Sequence, residues 1–165
     1  MRVLCFIATS VFAITVSVSL FALTPAPLPP AQAQPDRLPD APGKATVTKV
    51  CASCHTLDLI PDSRMTVPNW IATIESMKEF GATASDEDFQ TVKDYIVVNF
   101  ALLEVNKASA KDISQVLRVD EKVAADVVAY REKQGPFKTV DDVKRAPGLD
   151  AATLDALAPR LMFGN

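Results

Sequence analysis

Apolar residues are distributed along this chain in three ways. From Val3 to Leu23 they run without a single charge. From residue 24 to 42 prolines break any pattern: Pro25, Pro27, Pro29, Pro30, Pro35, Pro39 and Pro42 exclude helix and central strand and leave an extended linker. From residue 43 onward the apolar positions return every three or four residues, the spacing of amphipathic helices. A short helix is expected over 43–50 and a loop, broken by Pro61, over 56–66. Pro68 suits the first turn of a second helix, which carries Trp70, Ile71, Ile74, Met77 and Phe80 on one stripe and stops at Gly81. A third helix spans 86–100. Ser85 and Asp88 form a capping box at its start, and Phe89, Val92, Tyr95, Ile96 and Phe100 form its apolar face.

Beyond Val105 the helices become shorter. Ser109 caps one that runs to Leu117, with Asp112 at the capping-box position. A second covers 120–133 and ends in the turn Gln134-Gly135-Pro136-Phe137. A third starts at Thr139, paired with Asp142, and reaches Arg145. After Ala146-Pro147-Gly148-Leu149 a fourth covers 150–158. The pattern is that of two helix–hairpin–helix units in tandem, and the expected fold class is all-α.

Composition changes this picture in two places. Of the 165 residues, the first 33 read as a secretory signal: Met1-Arg2, the apolar run, then Ala31-Gln32-Ala33 as a small-residue cleavage site. Cleavage before Gln34 is the expectation. The apolar run is also long enough to span a bilayer, so an uncleaved N-terminal anchor is the alternative. Either way the remainder is exported, to a periplasmic location, and Cys5 stays with the signal. The expected organisation is signal 1–33, linker 34–42, a first module at 43–100 and a second at 105–163. The net charge of −3 gives no reason to expect nucleic acid or an anionic membrane as a general partner.

The densest chemistry lies at Cys51-Ala52-Ser53-Cys54-His55, which has the C-x-x-C-H spacing of covalent haem attachment. Two thiols about one helical turn apart add to the two vinyl groups of one porphyrin, and the adjacent imidazole reaches the iron. A zinc site would need a second Cys/His pair. The chain has one histidine and, besides these two, only Cys5. A single histidine also excludes bis-histidine coordination, which leaves Met77 and Met65 as intrinsic candidates for the distal iron ligand. A thioether there raises the reduction potential and closes the sixth position to oxygen. Trp70 either approaches the haem propionates or is ordinary core, and no electron-transfer role is assigned to it.

The segment Cys51-x-x-Cys54-His55, Trp70-x6-Met77-x3-Gly81 and Tyr95 resembles small monohaem class I cytochromes c with a short ligand loop. The resemblance covers about residues 39–100. It implies a three-helix haem domain, one haem c held by Cys51 and Cys54, and His55 and Met77 as axial ligands, with Met65 as the competitor. It also implies that Gly43, eight residues before Cys51, lets the first helix cross closely over Tyr95 of the last. Residues 105–163 resemble the ComEA-type helix-hairpin-helix domain through Asn106-Lys107-Ala108-Ser109, Tyr130-Arg131, Gly135-Pro136-Phe137, Asp141-Asp142-Val143 and Pro147-Gly148-Leu149.

DNA recognition by that fold uses a glycine-flanked hairpin whose backbone N–H groups approach phosphate. Here the first hairpin reads Arg118-Val119-Asp120 and the second Gly148-Leu149-Asp150. From Glu104 onward ten basic residues face ten acidic ones, so duplex DNA is not the expected partner. The expectation is an exported one-electron carrier, not an enzyme. Its second module docks a redox partner such as an exported dehydrogenase or a membrane oxidase or reductase. Two alternatives stand beside it: a haem-carrying accessory of DNA binding or uptake, and a haem enzyme or gas sensor with an open sixth position.

Overall fold

The computed structural model describes residues 37–164. The signal-or-anchor segment and the start of the linker lie outside the described residues.

Gly43 opens α1 (Lys44–Cys51) in the left-handed region, φ 95°. The helix buries Val47 and Val50 and delivers Cys51 at its last position. A turn follows, with the Cys54 N–H donating to the Cys51 carbonyl at 3.5 Å. The expected loop at 56–66 is interrupted by one helical turn, α2 (Leu59–Asp62). Pro61 does not break it, because within the first turn the missing N–H has no partner to lose. α3 (Val67–Glu79) has Pro68 in its first turn and buries Val67, Trp70 and Ile74. Phe80 belongs to the predicted stripe but lies past the helix end, where it is exposed.

α4 (Asp86–Phe100) is the central element. The Ser85 hydroxyl accepts from the Asp88 N–H at 3.0 Å. Only this half of the predicted capping box forms. The Asp88 carboxylate turns instead to Lys49 of α1, 3.1 Å away. α4 crosses α1 at Gly43: a Cβ on that residue would lie 3.1 Å from Tyr95 Cβ and 3.3 Å from Thr91 Cγ2.

The chain then forms β1 (Leu103–Glu104), α5 (Ala110–Leu117), α6 (Glu121–Gln134), α7 (Val140–Lys144) and α8 (Ala151–Leu157). A 3-10 turn over Ala158–Arg160 leads into β2 (Leu161–Met162). Both predicted capping boxes of this half, Ser109 with Asp112 and Thr139 with Asp142, are complete. The fold is therefore mostly helical, with one departure. β1 and β2 pair in parallel, Leu103 opposite Leu161, and Thr66 bridges Leu102 beside them.

One hydrophobic core runs through both halves, from Val47, Trp70 and Ile96 to Ile113, Leu117 and Leu154. Polar contacts reinforce the junction. Arg160 reaches back to the C-terminal end of α4, donating to the carbonyls of Ala101 (2.8 Å), Val98 and Val97 (both 2.9 Å). Arg118 donates to Asn99 Oδ1 at 3.1 Å, Gln115 to Asp94 Oδ1 at 3.1 Å, and Arg64 to the Pro159 carbonyl at 2.9 Å.

Candidate functional site

Two adjoining hollows, of about 120 and 190 Å³, open between α1, α2, α3 and α4. They share Cys51, His55, Ile74, Met77 and Val92 as lining, so they form one cleft. The walls are largely apolar with a few polar groups converging on them, the make-up of small-molecule and cofactor sites. The helices place the polar groups. α1 supplies Cys51 at its C-terminal end, and the turn after it supplies Cys54 and His55. α3 supplies Trp70, Thr73 and Met77 on successive turns of one face. Met65 enters from the strand-like segment just before α3.

Both thiols are free. Cys51 is half-buried and Cys54 exposed, and burial pushes the Cys51 thiol above its usual pKa. His55 Nδ1 lies 2.9 Å from the Thr56 carbonyl. Because a carbonyl only accepts, that bond needs the proton on Nδ1 and leaves the Nε2 lone pair free. Among the described residues, no three His, Cys, Asp or Glu side chains converge tightly enough to hold one metal ion.

The two methionines differ. Met65 is half-buried, and its sulfur accepts from the Thr73 hydroxyl at 3.8 Å. Met77 is 37% exposed and lines both hollows. Trp70 is 5% exposed, and its indole N–H is the only buried side-chain polar atom among the described residues without a partner. A buried donor left unpaired costs roughly 1–3 kcal/mol. The Trp70 side chain lines the same cleft. Sequence reasoning gave Trp70 no task, and it missed the Thr73–Met65 contact altogether. No local spacing signals the latter, because Met65 precedes α3 and lies off its helical repeat.

The second candidate region is the pair of hairpins. In the first, Arg118 takes a left-handed conformation (φ 57°) where the fold would favour glycine. Asp120 caps α6 without a side-chain bond, and Glu121 follows in the first turn. In the second, Gly148 (φ 81°) sits so close to Val123 that a Cβ would lie 3.0 Å from its Cγ2. The Asp150 carboxylate accepts from both the N–H and the hydroxyl of Thr153, each at 2.7 Å. A carboxylate thus already occupies the helix end where a phosphate would bind. Basic side chains nearby are largely committed. Lys144 pairs with Asp141 and Asp155, Arg145 with Asp142 and Lys122 with Asp126, while Arg131 donates to the Val105 carbonyl.

Residues 98–162 match the helix-hairpin-helix motif family, so this part of the chain is a helix-hairpin-helix domain. The match begins inside α4, before the β1 strand. An endonuclease/exonuclease/phosphatase family domain-containing protein of Rattus norvegicus is 36% identical over 55 residues, 33% of this chain and 10% of that protein. The Homo sapiens counterpart is 34% identical over 55 residues, with the same coverage. A kinesin-like protein of Rattus norvegicus is 27% identical over 92 residues, 50% of this chain and 13% of its own length. The chain spans about a tenth of the length of these curated relatives. No solved structure matches it significantly.

Proposed function

We propose that the protein is an exported one-electron carrier in which the cleft holds a single covalently attached haem c. One observation carries the reading. Two thiols at attachment spacing, an imidazole whose Nδ1 faces the Thr56 carbonyl, two thioethers and Trp70, whose buried indole N–H has no partner, all line one apolar cleft.

When bound, the haem supplies a metal centre that exchanges single electrons without net bond making. The chain's residues have separate tasks. Cys51 and Cys54 would anchor the ring through thioether bonds. His55 would donate Nε2 to iron, its ring orientation set by the Thr56 carbonyl. Met77 is the favoured distal thioether, because the Thr73 hydroxyl already engages Met65. Trp70 would donate its N–H to an acceptor on the bound group, which removes the desolvation cost of leaving it unpaired. Ile74, Val92 and Phe89 exclude water and lower the local dielectric.

The test is a visible spectrum of the exported protein in both oxidation states, with acid–acetone extraction. Pigment that survives extraction and titrates reversibly is expected. The sulfur-to-iron charge-transfer band of the ferric form should vanish in Met77→Ala and persist in Met65→Ala. A colourless exported protein, or pigment lost to acid–acetone, overturns the reading. Among the described residues no helix is long and apolar enough to cross a membrane.

A second reading, association with nucleic acid, is favoured by the helix-hairpin-helix match and the nuclease-family wording of some relatives' names. The engaged Asp150 carboxylate and the balanced charge oppose it. Phosphate contacts weaken as salt rises. A gel shift with duplex DNA at low salt that fades with added salt would establish this role, and no shift at low salt would end it.

A further inference from the structure

The formal charge of the described residues is unevenly divided. Residues 101–164 carry ten basic and ten acidic side chains, whereas residues 37–100 carry six basic and nine acidic ones. The excess negative charge therefore lies entirely on the part that builds the cleft. The basic side chains there are engaged. Arg37 pairs with Asp62 and Lys49 with Asp88. Lys93 pairs with Glu75, and Arg64 donates to a carbonyl. Lys78 folds over the Phe89 ring, 4.9 Å from its centroid, between Glu75 and Asp86.

The cleft's mouth is apolar. Of the four large apolar side chains exposed among the described residues, Leu59 (59%), Met77 (37%) and Phe80 (82%) line it. Asp58 immediately precedes Leu59 and Glu79 immediately precedes Phe80. Asp58 stands at the start of α2 without a side-chain capping bond, and Glu79 is exposed at the end of α3.

We propose that this mouth is the docking surface for the redox partner, and that the partner's contact face carries lysine or arginine around an apolar centre. The inference rests on the carrier reading and adds the partner's chemistry to it. An apolar centre with a charged rim is how transient protein contacts combine desolvation with steering. Here the rim charges, Glu79 and an Asp58 that shares Arg37 with Asp62, are negative, so complementarity demands a positive partner. The helix-hairpin-helix half, with no net charge, contributes little to steering.

The experiment follows oxidation of the reduced holoprotein by two one-electron probes across a salt series. One is tris(phenanthroline)cobalt(III), cationic and apolar; it is reduced to cobalt(II) as the protein loses one electron and no proton. The other is the anion hexacyanoferrate(III), reduced to hexacyanoferrate(II). The cobalt probe should react faster at low salt and slow as salt rises, with the opposite trend for the anion. Asp58→Lys with Glu79→Lys should lower the low-salt cobalt rate about tenfold, as expected for removal of local steering, while the reduction potential stays unchanged. Glu121→Lys with Glu132→Lys makes the same net-charge change in the other half and should leave that rate within about twofold.

Equal effects of the two pairs would overturn the surface, because they would reflect net charge alone. A faster low-salt reaction with the anion would overturn it too, in favour of an acidic-faced partner. If the protein carries no haem, neither probe is reduced and the carrier reading falls as well. A loaded, reversibly reduced protein that is insensitive to the first pair sinks the surface only.

Discussion

At the scale of single residues the structure turns on close approaches and unpaired atoms. Gly43 combines a left-handed φ of 95° with crowding, since a Cβ there would lie only 3.1 Å from Tyr95 and 3.3 Å from Thr91, whereas Gly81 has a similar φ of 100° and open space, with nothing within 4 Å of where a Cβ would lie. The two glycines therefore separate conformational cost from steric cost. Gly81→Ala should lose about 1 kcal/mol, the strain of a left-handed alanine. Gly43→Ala should lose that plus an overpacking cost of about 1–3 kcal/mol as α1 is forced off α4. Urea unfolding of both variants measures the difference, and equal losses would mean that the crossing of α1 and α4 is looser than the distances imply. This crossing was legible in advance only as what the resemblance to class I cytochromes c implies for a glycine eight residues before Cys51. The orphan N–H of Trp70 was not legible, because an apolar stripe at helical spacing reads the same whether or not its indole nitrogen finds an acceptor.

At the scale of elements, the helix starts were the most readable feature, since capping is local chemistry. Ser85, Ser109 and Thr139 all accept from the N–H three residues on. Ser85→Ala should cost about 1 kcal/mol of stability by chemical denaturation. Elements without a local signal escaped notice. A one-turn helix such as α2 has no periodicity to read, and two-residue strands such as β1 and β2 show no alternation. The caps also set an acid limit. Hydrogen bonds from the Lys138 N–H and from Thr139 hold the Asp142 carboxyl below its ordinary range, and those from Thr153 do the same for Asp150. Arg37 acts likewise on Asp62, and Lys93 on Glu75. A carboxyl depressed on folding contributes stability that is present above its unfolded value, 3.8 for aspartate, and lost as pH falls through the folded one. The urea midpoint should therefore hold steady from neutrality to about pH 5 and then decline. Asp142→Asn with Asp150→Asn keeps acceptors at both caps but removes their titration, so it should flatten that decline. A double variant with the parent's acid profile would show that these caps are not its source.

At the scale of the whole molecule, the question is whether the cleft and the helix-hairpin-helix domain stand or fall together, and Arg160 decides it. Sequence counting places this arginine among the surface charges. Folding instead buries much of it against three carbonyls at the end of α4, 59 to 63 residues away in the chain. Burial, with the Arg118 charge adding to it, pushes its guanidinium down to about 10, so it remains charged at neutral pH and balances the negative end of the α4 dipole. No local pattern encodes such a contact, since it depends on the parallel β1–β2 pairing that brings the C-terminus back to α4. Removing the side chain should cost about 3 kcal/mol, through lost charged hydrogen bonds and partly buried carbonyls left unpaired. A lysine, with one ammonium for three acceptors, should recover only part of this. The linkage predicts more than a stability change. Trp70, the only tryptophan, reports on the cleft by fluorescence, and amide hydrogen exchange of α6 reports on the other half. With one core running through both, the two signals should unfold at the same urea concentration in the parent protein. Arg160→Ala should move both to lower urea, because the junction it weakens belongs to both. If the parent already shows two separate transitions, the halves are energetically independent, and the cleft's geometry owes nothing to the domain behind it.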